Sequence, residues 1–300
     1  MKHLLNLLAA IALLVWGTHL VRTGILRVFG ANLRNVLAHS ISNRYAAAIS
    51  GIGVTALVQS STATALIVSS FVGQGLVTLP LALAVMLGAD VGTSLMAVVF
   101  SFDLSWLSPL FIFAGVVLFI SRQSTNVGRF GRILIGLGLM LLALRLVTAS
   151  TEVLTQAPAV KALLASLASD LLLEITMGAV LAVVSYSSLA IVLLTATLAA
   201  SGVIPLDVAL GLVLGANLGS GLLAVLTTAK STVEVRQVPM GNFVFKALGV
   251  LIAAPLLGLW MRHVRPYLGD PATVVVLFHL AFNLLVGVVF IGVTQVVSGW

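Results

Sequence analysis

The chain has no cysteine and little charge. Its 300 residues include 8 acidic and 15 basic side chains, and only 8% of positions are charged. Without cysteine there is no disulfide, thiolate nucleophile or cysteine-ligated metal. A soluble domain has roughly 25% charged residues, so this composition excludes an ordinary soluble protein. The sequence also lacks a nucleotide-binding loop, a metal-ligand cluster and a nucleophile triad. A membrane-embedded enzyme would need an acid–base pair or a metal cluster, so we expect a protein that is not an enzyme.

The chain is rich in apolar residues. They make up 60% of the chain, and the mean hydropathy is +1.22. These values predict an all-α polytopic membrane protein with about seven to nine elements of ~20 residues. The net charge of +7 does not indicate nucleic-acid binding, because the basic residues cluster at the ends of apolar runs, where they set topology. The first run, 4–15, lacks a small-x-small cleavage site and predicts a retained helix.

A cluster of polar side chains interrupts a long apolar run near residue 60. Its members are Gln59, Ser60, Ser61, Thr62 and Thr64. In lipid such groups are costly unless they are paired or line a wet cavity. Adjacent Ser and Thr also compete for backbone hydrogen bonds and so favour a helix break. A break at membrane depth offers carbonyls to a cation and amides to an anion. The alternative is a polar patch that only joins helices.

The pattern returns 127 residues later, for example 188 − 61 = 127. Matching small and polar residues at one offset predict two structural repeats, at 1–129 and 130–262, followed by an extra span at 272–297. The matching pairs are Gly51 and Gly178, Ser60 and Ser187, Ser61 and Ser188, Gly88 and Gly215, and Gly92 and Gly219.

Each predicted repeat contains a span, an amphipathic interfacial segment, a broken element and two more spans. In the first repeat we expect these elements at 4–21, 27–44, 45–73, 79–100 and 108–120. In the second repeat we expect them at 133–148, 151–170, 171–201, 205–227 and 239–261.

Each half of a broken element is too short to cross a membrane. The stretch 45–58 would be roughly 21 Å long at ~1.5 Å per residue, against a hydrocarbon core of about 30 Å. If the two broken elements are re-entrant hairpins, nine basic residues lie on one side of the membrane and four on the other. If both elements cross the membrane fully, the division is seven to six. The positive-inside rule therefore favours hairpins, with the N-terminus outside and the C-terminus in the cytoplasm. Each repeat then has three full crossings, so we expect inverted-topology repeats whose two hairpins meet near the midplane.

The motifs resemble a known family. Residues 55–64 and the motifs 88–92 (Gly-Ala-Asp-Val-Gly) and 215–219 (Gly-Ala-Asn-Leu-Gly) are similar to the sodium/phosphate cotransporter type II family. The similarity is closest to its bacterial YjbB-like branch and covers essentially the whole chain. It implies an inverted-repeat transporter in which both hairpins bind sodium and inorganic phosphate. Bacterial relatives often add a cytosolic PhoU-like domain; none occurs in this sequence, which suggests a short or truncated form.

The resemblance assigns binding residues by position. The second motif departs from the family because Tyr186 stands where Gln is usual, which puts the sodium stoichiometry in question. The implied phosphate-binding residues are Gln59, Ser60, Ser61, Thr62, Ser187 and Ser188. The predicted sodium ligands are Gln59, Ser61, Thr64, Asp90, Thr93, Ser185, Asn217 and Ser220.

The remaining polar residues are read from their surroundings. Asp90 lies inside an apolar run and is a functional candidate by default. The sequence leaves three roles open for its carboxylate: a ligand of sodium, a carrier of a proton, or a hydrogen-bond partner of a neighbouring backbone. Lys246 has no evident acidic partner in the sequence. His19 and His279 are interpreted as packing or interface residues. We expect neutral donors beside a bound cation to hold phosphate without a buried arginine.

The sequence therefore predicts a sodium-coupled inorganic phosphate transporter of the bacterial cytoplasmic membrane. Sodium is the coupling ion, and no cofactor or transition metal is expected. One alternative is a phosphate exporter, with proton linkage through Asp90. A second is a non-transporting subunit of a phosphate-sensing complex. A PhoU-like cytosolic protein or a second copy of the chain is the expected protein partner, and nucleic acid is not.

Overall fold

The computed structural model describes residues 2–40, 42–102, 104–123, 125–154 and 170–297, and within these ranges the regular structure is entirely helical. The first six α-helices are α1 (Lys2–Ser40), α2 (Arg44–Val58), α3 (Ser61–Gly73), α4 (Leu79–Ser101), α5 (Ser108–Ser121) and α6 (Asn126–Leu154). The others are α7 (Leu171–Val184), α8 (Ser188–Ala200), α9 (Leu206–Thr228), α10 (Val233–Ala253), α11 (Leu257–His263), α12 (Pro271–Ile291) and α13 (Thr294–Val297).

Six of the described helical segments are long and apolar enough to cross a membrane. They are Leu4–Asn35, Leu79–Ser101, Asn126–Ser150, Leu206–Thr228, Val233–His263 and Pro271–Ile291. Helices α2, α3, α7 and α8 have only 13 to 15 residues, which is shorter than the ~20 residues that a crossing needs. The predicted class, an all-α polytopic membrane protein, is confirmed.

Predicted boundaries differ from the structure in both halves of the chain. The span 4–21 and the interfacial segment 27–44 were expected as separate elements, but Lys2–Ser40 is one continuous helix. No proline interrupts this stretch, and an amphipathic surface does not by itself end a helix. Helix α10 begins at Val233 and contains Pro239 in its interior, where a span had been expected to start. Most of the second interfacial segment, 155–169, lies outside the described residues.

Glycines let the short helix before each break lie directly against a long helix. Any side chain at Gly88 would collide with the carbonyl of Ala48, so α2 and α4 approach closely. The same holds for Gly215 and the carbonyl of Ile175, between α7 and α9. Both members of the second pair lie 127 positions after those of the first. The two breaks are thus supported by equivalent contacts, as small-residue packing of membrane helices allows.

Candidate functional site

The first break lies between α2 and α3. Gln59 has φ +57° and ψ 28°, the left-handed region, and Ser60 is extended. The Ser60 hydroxyl caps α3 by accepting the amide of Ala63 at 3.2 Å. The hydroxyls of Thr55 and Thr64 lie 2.7 Å apart, whereas nine residues of straight helix span ~13.5 Å. The chain therefore folds back sharply at Gln59 and Ser60.

The second break has the same backbone. Ser187 has φ −156° and ψ 104°, against −153° and 105° for Ser60, and its hydroxyl accepts the amide of Ala190 at 3.1 Å. Tyr186 takes the left-handed position with φ +54°. The Ser185 hydroxyl donates to the Ser187 carbonyl at 3.2 Å. A positive φ is uncommon for Gln or Tyr and costs on the order of 1 kcal/mol, and such strain clusters at functional sites.

Both breaks open onto one cavity of about 470 Å³, within the roughly 300–1,000 Å³ range of ligand pockets. Of the residues predicted to bind phosphate or sodium, eight line it: Gln59, Ser60, Ser61, Thr62, Thr93, Ser185, Ser187 and Ser188. The cavity is completed by Val184, Tyr186 and Leu189 and by five residues of α1: Val15, Trp16, Thr18, His19 and Arg22. We call it the break cavity.

Two helix N-termini face the break cavity. Helix α3 begins at Ser61 and α8 at Ser188, and the first residues of both lie in the cavity wall. The leading amides of a helix have no partner within it, and the macrodipole places positive charge there. A phosphate ion is a good ligand for such an end. Two helix N-termini with adjacent hydroxyls in one cavity wall have the chemistry that suits an anion.

The Gln59 side chain supplies an unsatisfied acceptor. It is 8% exposed, and its Oε1 has no hydrogen-bond partner among the described residues. Buried polar atoms are nearly always paired, so this acceptor is unusual among the residues of the cavity wall. A carbonyl-type oxygen suits a hard cation such as sodium, or the hydroxyl of a protonated phosphate.

The sequence analysis missed the contribution of α1. Arg22 is half-buried in the cavity wall, and its Nη1 donates to the carbonyl of Tyr186 at 3.4 Å. Its Nη2 lies 3.3 Å from Nδ1 of His19, whose ring stacks on Trp16. The expectation of a phosphate site without an arginine stays a prediction, but an arginine does line the cavity that the predicted residues share. The sequence analysis ended the first span at residue 21, just before Arg22. The i, i+3 spacing of His19 and Arg22 could have placed both on one helix face.

Four predicted sodium ligands do not line the break cavity: Thr64, Asp90, Asn217 and Ser220. Thr64 bonds Thr55 within the fold of the first break. The Asn217 amide donates to the Val213 carbonyl one turn away at 2.9 Å. Asp90 and Ser220 both contact Lys246. The statement that Lys246 lacks an acidic partner was wrong, because that partner is 156 positions earlier in the chain (246 − 90).

Comparisons with known proteins agree on the family. The family profile described as Na+/Pi-cotransporter matches twice, over residues 13–149 and 150–293. The chain belongs to the Na+/Pi-cotransporter family. It is 53% identical over 285 residues to the Escherichia coli K12 protein named "Putative inorganic phosphate export protein YjbB", covering 95% of this chain and 52% of that protein. A Salmonella typhimurium protein of the same name is 52% identical with the same coverage.

A more distant relative has a similar length. The Bacillus subtilis protein named "Uncharacterized protein YqeW" is 24% identical over 97% of this chain and 95% of its own. The chain spans about half the length of the YjbB proteins that it matches. No solved structure matches it. The Na+/Pi-cotransporter family is a family of transporters, and the multi-pass membrane character of this chain agrees with it.

Proposed function

We propose that this protein is a secondary transporter that carries inorganic phosphate through the break cavity across the bacterial cytoplasmic membrane. The observation that carries the proposal is the meeting of both helix breaks in one cavity beside Arg22. The phosphate oxygens accept from the first amides of α3 and α8 and from the hydroxyls of Ser61 and Ser188. Arg22 supplies the fixed positive charge, and charge-assisted bonds of this kind are about twice as strong as neutral ones.

Sodium is the proposed coupling ion. The unpaired Oε1 of Gln59 is its first ligand. The hydroxyls of Ser61, Thr93 and Ser185, which line the same cavity, complete the oxygen set. A cation held beside the anion lowers the cost of moving phosphate through a low-dielectric interior. Coupling then follows because neither ion is well stabilised without the other.

Alternating access follows from inverted repeats. The matching caps of Ser60 and Ser187 and the matching glycine contacts support two equivalent halves. We propose that the two hairpins enter from opposite faces, with the N-terminus outside and the C-terminus in the cytoplasm. Relative motion of the halves then opens the cavity to one side at a time.

Export is a second candidate for the direction of transport. It is favoured by the printed name of the YjbB relatives, which describes phosphate export. The same cavity serves both directions, since gradients set the net flow. A PhoU-like partner or a homodimer fits either direction. A subunit that does not transport is the third candidate, and it predicts no flux from the purified protein.

The test is radiolabelled phosphate flux in proteoliposomes, with and without a sodium gradient of either orientation. We expect flux that follows the sodium gradient. The Ser61→Ala/Ser188→Ala variant should lose it, and the matched Ser70→Ala/Ser201→Ala variant, which lies outside the break cavity, should keep it. Flux that ignores sodium overturns the coupling, and equal flux in both variants overturns the site. Absence of flux from the wild-type protein favours the non-transporting candidate.

A further inference from the structure

A buried ion pair lies outside the break cavity. Lys246 of α10 and Asp90 of α4 are 2% and 3% exposed, and Nζ lies 2.8 Å from Oδ1. Nζ also donates to the Ser220 hydroxyl of α9 at 2.6 Å. The proposed transport function leaves all three residues unused.

The atoms around the ammonium group form a cation site. A carboxylate and a hydroxyl oxygen are typical ligands of hard cations. The second carboxylate oxygen of Asp90, Oδ2, has no hydrogen-bond partner in the described part of the chain. Asp90 and Ser220 come from α4 and α9, the two helices that carry the repeated Gly-Ala-(Asp/Asn)-x-Gly motif. These two residues were predicted to bind sodium, and the ammonium group occupies the space between them.

The packing accommodates the lysine stem. A Cβ on Gly221 would lie 3.3 Å from Cδ of Lys246 and 3.1 Å from the ring of Phe243, which is tighter than ordinary contact. Ser94 occupies the equivalent position in the first half, since 94 + 127 = 221. Glycine at 221 therefore leaves room for the stem beside α9.

The stability of the fold alone does not explain why the sequence has a buried ion pair here. Two buried charges cost about as much in desolvation as their attraction returns, and apolar replacements are often as stable. The position equivalent to Asp90 in the other half holds Asn217, which is uncharged (90 + 127 = 217). The repeated motif thus accepts a neutral residue at this position, and a buried ionisable residue in a membrane helix is a functional candidate by default.

We propose that Lys246 is a tethered cation. Its ammonium group occupies a monovalent-cation site formed by Asp90 and Ser220, so the wild-type protein binds no free sodium there. This inference rests on the proposed transport function. It means that the protein binds fewer sodium ions in each transport cycle than the two halves have oxygen-lined cation sites, because the lysine fills one of them. Removal of the lysine should turn the same oxygens into a sodium site.

The test measures sodium binding without transport. Purified wild type, Lys246→Ala and the charge-neutral Asp90→Asn/Lys246→Ala variant are unfolded thermally in sodium chloride and in choline chloride at equal ionic strength. Wild type reports any sodium bound in the break cavity. Lys246→Ala should gain an additional stabilisation by sodium of about 2–4 °C, and methylammonium should act similarly. The double variant should show only the wild-type shift.

Each outcome decides the proposal. An equal sodium shift in wild type and Lys246→Ala overturns it, as does an extra shift that persists in the double variant. Lys246→Ala that purifies only in sodium supports the proposal. Lys246→Ala that purifies in neither salt, while the double variant purifies, contradicts it. A flux measurement in proteoliposomes adds an independent readout. The curve of phosphate flux against sodium concentration should become steeper in Lys246→Ala than in wild type. Absent flux with a positive thermal shift would reject the proposed function and keep the tethered cation.

Discussion

The two breaks share a backbone and differ in chemistry. The φ and ψ angles of Ser60 and Ser187 agree within 3°, and each hydroxyl caps the following helix. In the left-handed position, Gln59 is 8% exposed and has a buried amide oxygen that no described residue pairs, whereas Tyr186 is 59% exposed and offers its backbone carbonyl to Arg22. The serine therefore sets the shape of a break, and we infer that the residue before it influences what the break binds.

Equivalent positions outside the breaks also carry different side chains. Arg22 reaches the second break from α1, while its repeat counterpart is Ala149 (22 + 127). Asp90 of the buried charge pair also has an uncharged counterpart, Asn217. A duplicated backbone thus carries unlike side chains, and we infer unlike roles: the first break favours the cation, and the second break, with Arg22, favours the anion.

Gln59→Ala gives the sharpest test of this contrast. The substitution removes the cavity's orphan amide oxygen, so sodium-driven phosphate flux should fall to background. The fold should persist, because the cap of α3 belongs to Ser60 and not to Gln59. Flux in proteoliposomes and a thermal unfolding profile measure the two effects. The matched control is Gln74→Ala, a glutamine at the exposed end of α3 that does not line the break cavity. Normal flux in Gln59→Ala would reject the cation role of the first break.

Arg22→Gln tests the anion side. Charge-assisted hydrogen bonds contribute about 1.5–3 kcal/mol, so the kcat/KM for phosphate should fall roughly 10- to 100-fold. The sodium concentration that gives half-maximal flux should change less than in Gln59→Ala. Arg22→Lys should recover part of the loss, since it restores the charge without the planar fork.

Arg27→Gln is the matched arginine control, because Arg27 lies on the same helix outside the break cavity. An equal loss of flux in both variants would show a general effect of positive charge instead of a local anion site.

The sequence identifies some of these features and not others. The serine pairs predict where the helices break, because the capping hydroxyl acts within three residues of chain. They do not predict the contact of α1, since the assumed end near residue 21 depended on amphipathicity and the helix runs to Ser40. The pairing of Asp90 with Lys246 depends on which long helices face each other, and local periodicity carries no such information.

Substitutions of Ser187 and Ser188 test separately the shape of the second break and its binding of phosphate. Ser187→Ala removes the cap of α8 and should lower the free energy of unfolding by about 1 kcal/mol, with a moderate loss of flux. Ser188→Ala keeps the cap and removes a cavity hydroxyl, so its melting temperature should stay near that of wild type while the KM for phosphate rises roughly tenfold. Thermal unfolding and flux kinetics on both variants check the assignment. The reverse pattern would exchange the two roles.

Tyr186→Gln is the smallest change and makes the two breaks alike. Glutamine is tolerated at φ +57° in the first break, so the left-handed turn should survive, and the carbonyl that Arg22 contacts should be retained. Phosphate flux should therefore stay within a fewfold of wild type. An added amide oxygen facing the break cavity should increase the apparent affinity for sodium, measured as a lower half-saturating concentration at fixed phosphate. Tyr186→Phe should leave that concentration unchanged, because the phenol is solvent-exposed. A sodium dependence that is identical in Tyr186→Gln and Tyr186→Phe would mean that position 186 contributes no cation ligand in either form, and that the amide of Gln59 has no functional counterpart in the second break.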